Sequence, residues 1–210
     1  MEKRAIDIAF TPSVRSAQTR KGSFAMYEHH DFRHLIDDYL MRFLAKVRSF
    51  YLATVSEDGQ PYIQHRGGPP GFLHVIDGNR LAFVDFLGNH QFITTGNLAV
   101  NPRAFIFLMD YANRRRIKIW GTAKVVEDDE MLEASLMTAG YRGRPEQIIV
   151  FDIEAWDINC PQHIPQMFFA EDVAQAIGER DNKIASLEQE LSALRDAASA
   201  KFPDRGEPPK

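Results

Sequence analysis

A mainly β protein, a closed or nearly closed antiparallel barrel with flanking helices and a C-terminal heptad-like helix, is the fold this sequence predicts. Three observations lead there. Six or seven short runs rich in aromatic and β-branched residues are separated by Asp-Gly and Asn-containing turns. Few stretches between them carry a helical period, which excludes a doubly wound sheet built from alternating strands and helices. After residue 170 the composition changes to a heptad pattern flanked by charge.

The elements follow in chain order. Residues 1–28 are polar and aperiodic, so an extended N-terminal arm is expected. Phe32, Leu35, Ile36, Tyr39, Leu40, Phe43, Leu44 and Val47 recur at three and four, one apolar helix face with Asp31 as its N-cap. Phe50 to Ser56 and Pro61 to Arg66 form a hairpin around Glu57-Asp58-Gly59-Gln60. A Gly/Pro loop leads to a strand from Phe72 to Ile76, a turn at Asp77-Gly78-Asn79 and a strand from Arg80 to Asp85. Gln91 to Val100 reads as a short helix interrupted by Gly96 and stopped by Asn101-Pro102. Arg103 to Met109 and Arg116 to Val126 pair around Tyr111-Ala112-Asn113; Asp128 caps a helix to Ala139; Gln147 to Trp156 is the last strand.

This gives a barrel domain over residues 29–169, a heptad helix over residues 170–200 and a Pro-rich, disordered tail over residues 201–210. In the helix, Ile177, Ile184, Leu187, Leu191, Leu194 and Ala198 alternate at three and four after a first gap of seven, a seam suited to a subunit interface.

Composition narrows the function. Lys+Arg 25 against Asp+Glu 29 gives a net charge of −4, which argues against a general nucleic-acid binder. The single cysteine, Cys160, cannot form an intramolecular disulfide or a thiolate-rich metal site. No histidine pair has zinc-helix spacing with an acidic partner, so no metal is expected. The start lacks the apolar run of a signal peptide and no stretch spans a membrane, so a cytoplasmic location is expected.

The chemistry concentrates between Pro61 and Leu108. Arg66 ends a strand immediately before Gly67-Gly68-Pro69-Pro70-Gly71. Its planar fork suits a phosphate, and the glycines let main chain approach one; a lone surface ion pair is the alternative. Asn89, Gln91 and Asn97 offer donor and acceptor together, suited to ribityl hydroxyls or a heterocycle edge, and equally to turns and caps. Thr94 and Thr95 stand where a helix N-terminus can meet a phosphate. In the Arg114-Arg115-Arg116-Ile117-Lys118 run, strand alternation puts Arg116 and Lys118 on one face, available to an anion or simply solvated. No nucleophile elbow, phosphate-binding P-loop or dinucleotide fingerprint is present, and no catalytic residue is assigned.

Phe50-Tyr51-Leu52-Ala53-Thr54-Val55 with Glu57 to Tyr62, then Gln64 to Phe72, Asp85 to Asn89, Gly96-Asn97-Leu98, Asn101-Pro102-Arg103 and Trp120-Gly121-Thr122-Ala123, resemble the pyridoxamine 5′-phosphate oxidase-like, FMN-binding split-barrel proteins. The resemblance covers roughly Phe10 to Phe169. It implies a split β-barrel, a homodimer with two FMN sites at the interface, and a small-molecule oxidoreductase. It places the Tyr62 to Arg66 strand, with Gln64, His65, Arg66 and Gly67, along the flavin, and Asp85, Asn89, Gln91 and Asn97 at its edges. Trp156 falls where the oxidases have a cofactor-contacting tryptophan. Where they continue into Arg-Leu-His-Asp-Arg, this chain has Asn159-Cys160-Pro161-Gln162-His163-Ile164-Pro165, so the substrate stays open. Deazaflavin and haem (through His65, His90 or His163) are the alternatives the family offers, and the missing arginine segment with the heptad tail adds a flavin carrier or sensor without turnover.

Overall fold

The computed structural model describes residues 4–158 and 161–201, residues 199 and 200 by their backbone alone. Cys160 and the Pro-rich end from residue 202 lie outside the described residues. The chain divides into two compact units, one up to Pro165 and one from Gln166.

Seven strands form one antiparallel sheet in the order β2-β1-β5-β6-β7-β4-β3. They are β1 (Ser49–Val55), β2 (Pro61–Gly67), β3 (His74–Val75), β4 (Arg80–Phe86), β5 (Arg103–Asp110), β6 (Arg115–Val126) and β7 (Pro145–Ile158). Side-chain alternation makes the barrel. Phe50, Leu52 and Thr54 of β1 point inward with Ile106 and Leu108 of β5 and Ile117 and Ile119 of β6, all at most 1% exposed. Each such apolar side chain contributes roughly 1.5–3 kcal/mol on burial. The sheet curls until Phe50 meets Phe83 of β4 edge to face, ring centroids 5.1 Å apart. This is a split barrel.

β4 is buried on both faces. Leu81 and Phe83 enter the main core, while Ala82 and Val84 pack with Ile148, Val150 and Leu136 of α5 (Glu130–Leu136). The remaining helices of this unit are α1 (Pro12–Lys21), α2 (Phe24–Tyr27), α3 (Asp38–Leu44) and α4 (Ile93–Val100). The second unit contains α6 (Ala170–Lys201), 32 residues long. Among the described residues, no helix is long and apolar enough to cross a membrane.

Several boundaries differ from expectation. The arm is helical, not extended: Pro12 opens α1 in its first turn and Gly22, at φ 77°, closes it. A 3-10 turn at Ala5–Ile8 precedes it and seats Ile6, with Phe32 and Ala155, in a satellite core. The helix expected from Phe32 is confined to Asp38–Leu44 and capped by Asp37, which accepts from the Leu40 N–H at 2.9 Å. Asp31 instead accepts from the N–H groups of Ile6 (2.9 Å) and Phe32 (2.8 Å). The reason is tertiary: Arg33 pairs with Trp156 through both backbone hydrogen bonds, which holds residues 32–34 extended.

The strand expected from Phe72 shrinks to His74–Val75, because Phe72 and Leu73 are buried in the core as a loop. α4 begins at Ile93 and runs through Gly96 unbroken. α5 is capped by Asp129 and ends at Leu136, and Asp128 makes the preceding turn at φ 58°. β7 extends beyond both predicted ends, with a bulge where Trp120 and Gly121 of β6 face it.

Candidate functional site: a polar cleft between β2, β4 and α4

β2 is an edge strand, and its alternation sorts the predicted site residues. Tyr62, Gln64 and Arg66 are half-buried on the inward face, while Ile63, His65 and Gly67 face out. The curl of the sheet brings this inward face to the end of β4, to the 87–92 loop and to the first turn of α4. Together they line a cleft of about 280 Å³.

Its floor is a polar network. The Arg66 guanidinium pairs with the Asp85 carboxylate, the two side chains only 11% and 8% exposed. The Gln147 amide donates to the other Asp85 oxygen and to the Thr95 hydroxyl, both at 2.9 Å. The Thr94 hydroxyl donates to the Gln64 carbonyl oxygen at 3.0 Å. Every one of these groups satisfies another, as buried polar groups require. One atom does not join: Arg66 Nε is buried without a hydrogen-bond partner.

The rim is the 87–92 loop. His90 and Phe92 both have left-handed backbones, at φ 57° and 51°, and non-glycine residues hold that conformation only where surrounding structure imposes it. Asn89 Oδ1 accepts from the Gln91 N–H at 3.2 Å and shapes the turn. His90 Nδ1 lies 3.7 Å from Glu146. No side chain caps α4, whose first intrahelical bond runs from the Gly96 N–H to the Phe92 carbonyl. Its opening turn, Ile93 to Thr95, borders the cleft.

The cleft thus gathers Gln64, His65, Arg66, Gly67, Asp85, Asn89 and Gln91 among its lining residues. The structure places the other four elsewhere. Asn97 is buried and donates to the Thr54 hydroxyl at 2.9 Å, joining α4 to β1. Trp156 is fully buried in the main core, and its indole N–H donates to the Leu35 carbonyl at 2.8 Å. Arg116 and Lys118 do share a face of β6, the outward one, where Lys118 Nζ lies 3.5 Å from Asp157 and 5.0 Å from the Trp120 ring centroid.

The glycine loop has a different role from the one expected. The Gly68 N–H donates to the Arg48 carbonyl at 3.0 Å and the Gly71 N–H to the Val47 carbonyl at 2.9 Å, so neither amide is left for a ligand. A Cβ on Gly68 would stand 2.5 Å from the Phe72 ring, and Gly71 holds φ 80°. These glycines let the loop fold over Phe72. Sequence reasoning missed Gln147 and Glu146, which enter the cleft only because β7 pairs with β4; no local signal marks them.

The chain is thus a split antiparallel barrel with a polar, arginine-centred cleft beside a helix that no side chain caps. Residues 36–160 match the family model for pyridoxamine 5′-phosphate oxidase, and the chain belongs to that family. Similar solved structures include HupZ of Group A Streptococcus, at 19% identity over 63% of this chain and 100% of that one, TM-score 0.49. A second is a protein of the pyridoxinephosphate oxidase family related to general stress protein 26, from Clostridium acetobutylicum (16% identity, 66% and 99% covered, TM-score 0.45). A third is an F420 reductase (20% identity, 58% and 98% covered, TM-score 0.42). No curated protein matches the chain.

Proposed function

We propose that this protein is an FMN-dependent oxidoreductase of the pyridoxamine 5′-phosphate oxidase family acting on a small molecule, with the cofactor held in the cleft between β2, β4 and α4. The observation that carries the reading is Arg66. It is the only guanidinium or ammonium side chain among the cleft's described lining residues, and its buried Nε has no partner within the chain. A buried donor left unpaired costs roughly 1–3 kcal/mol, and a phosphate oxygen relieves it with a charge-assisted bond. The uncapped first turn of α4 borders the same cleft and favours the same charge.

The donor set suits the rest of the cofactor. Asn89 and Gln91 supply amides for carbonyl and ring-nitrogen edges, and Gln64 lies along the strand where a planar ring would lean. When bound, the flavin supplies hydride and electron transfer. The chain's residues orient it: the Arg66–Asp85–Gln147 network holds the guanidinium in place, and Thr94 fixes the Gln64 amide.

The reading includes a homodimer. The outward face of β2, β1 and β5 aligns Ile63 with Ala53 and Phe105, and His65 with Tyr51 and Phe107. Ile63 is 60% exposed at its edge. A second copy seated there covers an apolar face continuous with the cleft-bearing strand, and brings Arg116 and Lys118 of β6 to the same interface.

The test is an absorption spectrum of the purified protein before and after incubation with FMN and desalting. Flavin bands retained near one per chain support the reading. No retained flavin, with deazaflavin or haem retained instead, replaces the cofactor. Retained flavin that no nicotinamide donor and electron acceptor turn over leaves a flavin carrier or sensor.

A further inference from the structure

Among the described residues, α6 carries an exposed apolar seam. Val173, Ile177, Ile184, Leu187, Leu191 and Leu194 are each between 41% and 68% exposed. Their spacing sets a heptad frame with Ile177, Ile184, Leu191 and Ala198 at a, and Val173, Arg180, Leu187 and Leu194 at d. In that frame the flanking g positions hold Lys183 and Glu190, and the e positions hold Asp181, Glu188 and Arg195.

We infer that α6 pairs with α6 of a second copy of this chain, parallel and in register, as a two-stranded coiled coil. Two features select the partner and its direction. In a parallel pair, each g side chain meets the e side chain five residues on in the other helix. Lys183 then faces Glu188, and Glu190 faces Arg195; two-fold symmetry repeats both, so all four contacts are opposite in charge. An antiparallel pair aligns g with g and e with e. With full overlap of the two seams Lys183 still meets Glu190, but Glu188 falls beside Asp181, acid against acid, so its contacts are mixed where those of the parallel pair are all opposite.

The core choice agrees. Isoleucine at two a positions with leucine at two d positions favours two parallel strands. Arg180 lies at a d position between Ile177 and Ile184 and meets its own copy in register, where its long stem lets the guanidinium reach solvent. Shifted registers would bury it against leucine. The seam is about three heptads long, marginal for free helices, so tethering to a barrel that itself pairs raises the effective concentration. The pairing does not depend on what the cleft binds.

The experiment uses the full-length chain with Cys160→Ser. Leu187→Cys places a thiol at d, and Gln189→Cys places one on the outer face as a control. Under mild oxidation, Leu187→Cys is expected to form a covalent dimer at least tenfold faster than Gln189→Cys. Equal rates, or no dimer from Leu187→Cys, overturn the proposal. An antiparallel pair layers each d residue against an a residue of the other helix, which keeps the two introduced thiols apart, and unpaired helices collide without preference. A second pair of variants fixes the register: Lys183→Glu with Glu190→Lys in one chain, and Glu188→Lys with Arg195→Glu in the other, each carrying Leu187→Cys. Co-expressed, they are expected to give cross-linked heterodimers in ~10-fold excess over homodimers. A statistical mixture overturns the g-to-e pairing.

Discussion

Arg66 and Asp85 join strands that stand far apart in the sheet order: the guanidinium on β2 meets the carboxylate on β4 across the mouth of the barrel. The pair closes the cleft floor and leaves one guanidinium nitrogen buried at the site without a partner. In the proposed reading, structure and binding therefore share one side chain.

Arg66→Lys separates the two duties. An ammonium keeps the charge near Asp85 but cannot serve the carboxylate and the ligand from a planar fork. FMN affinity is expected to fall by roughly 10- to 100-fold, equivalent to about 1.4–2.8 kcal/mol, with a smaller loss of stability. Arg66→Ala also strands the buried Asp85 charge and is expected to cost about 3–5 kcal/mol in stability. Titration of FMN by fluorescence quenching, beside urea unfolding, reads both; undiminished affinity in Arg66→Lys removes the phosphate assignment.

Trp156 provides the contrasting case. Its indole N–H satisfies the Leu35 carbonyl from within the core. Trp156→Phe is expected to lower stability by about 1–3 kcal/mol and to leave FMN affinity unchanged. A melting curve and an FMN titration decide it: lost affinity at unchanged stability would restore the tryptophan to the cofactor site.

Gly71 tests the folding role of the glycine loop. Its φ of 80° and the Ala45 carbonyl, 3.2 Å from where a Cβ would lie, both oppose a side chain. Gly71→Ala is expected to destabilise the barrel by roughly 1–2 kcal/mol, seen as a lower urea midpoint at unchanged slope. Full FMN retention should accompany it, since the loop amides already serve Val47 and Arg48.

Ile63 tests the proposed barrel dimer. Ile63→Arg places a charge on the outward face beside Ala53 and Phe105. Light scattering is expected to show at least a tenfold weaker dimer, since a buried unpaired charge carries several kcal/mol. An unchanged mass at micromolar concentration places the interface on another face.

Truncation after Phe169 removes α6 and its seam. The proposed dimer is expected to persist, held by the barrel, but to dissociate at a higher concentration than that of the full chain. Sedimentation of both chains across a dilution series reads the difference, and identical midpoints would mean that the helix adds nothing to pairing.

The sequence alone determined what depends on neighbours in the chain. Turn residues such as Asp58-Gly59 and alternating runs such as Phe50 to Val55 encode strands locally, and the heptad spacing encodes α6, because hydrophobic period and turn chemistry act over a few residues. Family motifs drew Arg66, Asp85 and Asn89 toward one site. Only the tertiary structure decided the rest. Residues 32–34 follow a helical pattern yet are extended, because two hydrogen bonds to Trp156 outweigh a weak local propensity. Asn97 and Trp156 carry polar groups fit for a ligand, but the core supplied partners first. Gln147 reached Asp85 across 62 positions of sequence through the β4–β7 register, a long-range contact that no local pattern records.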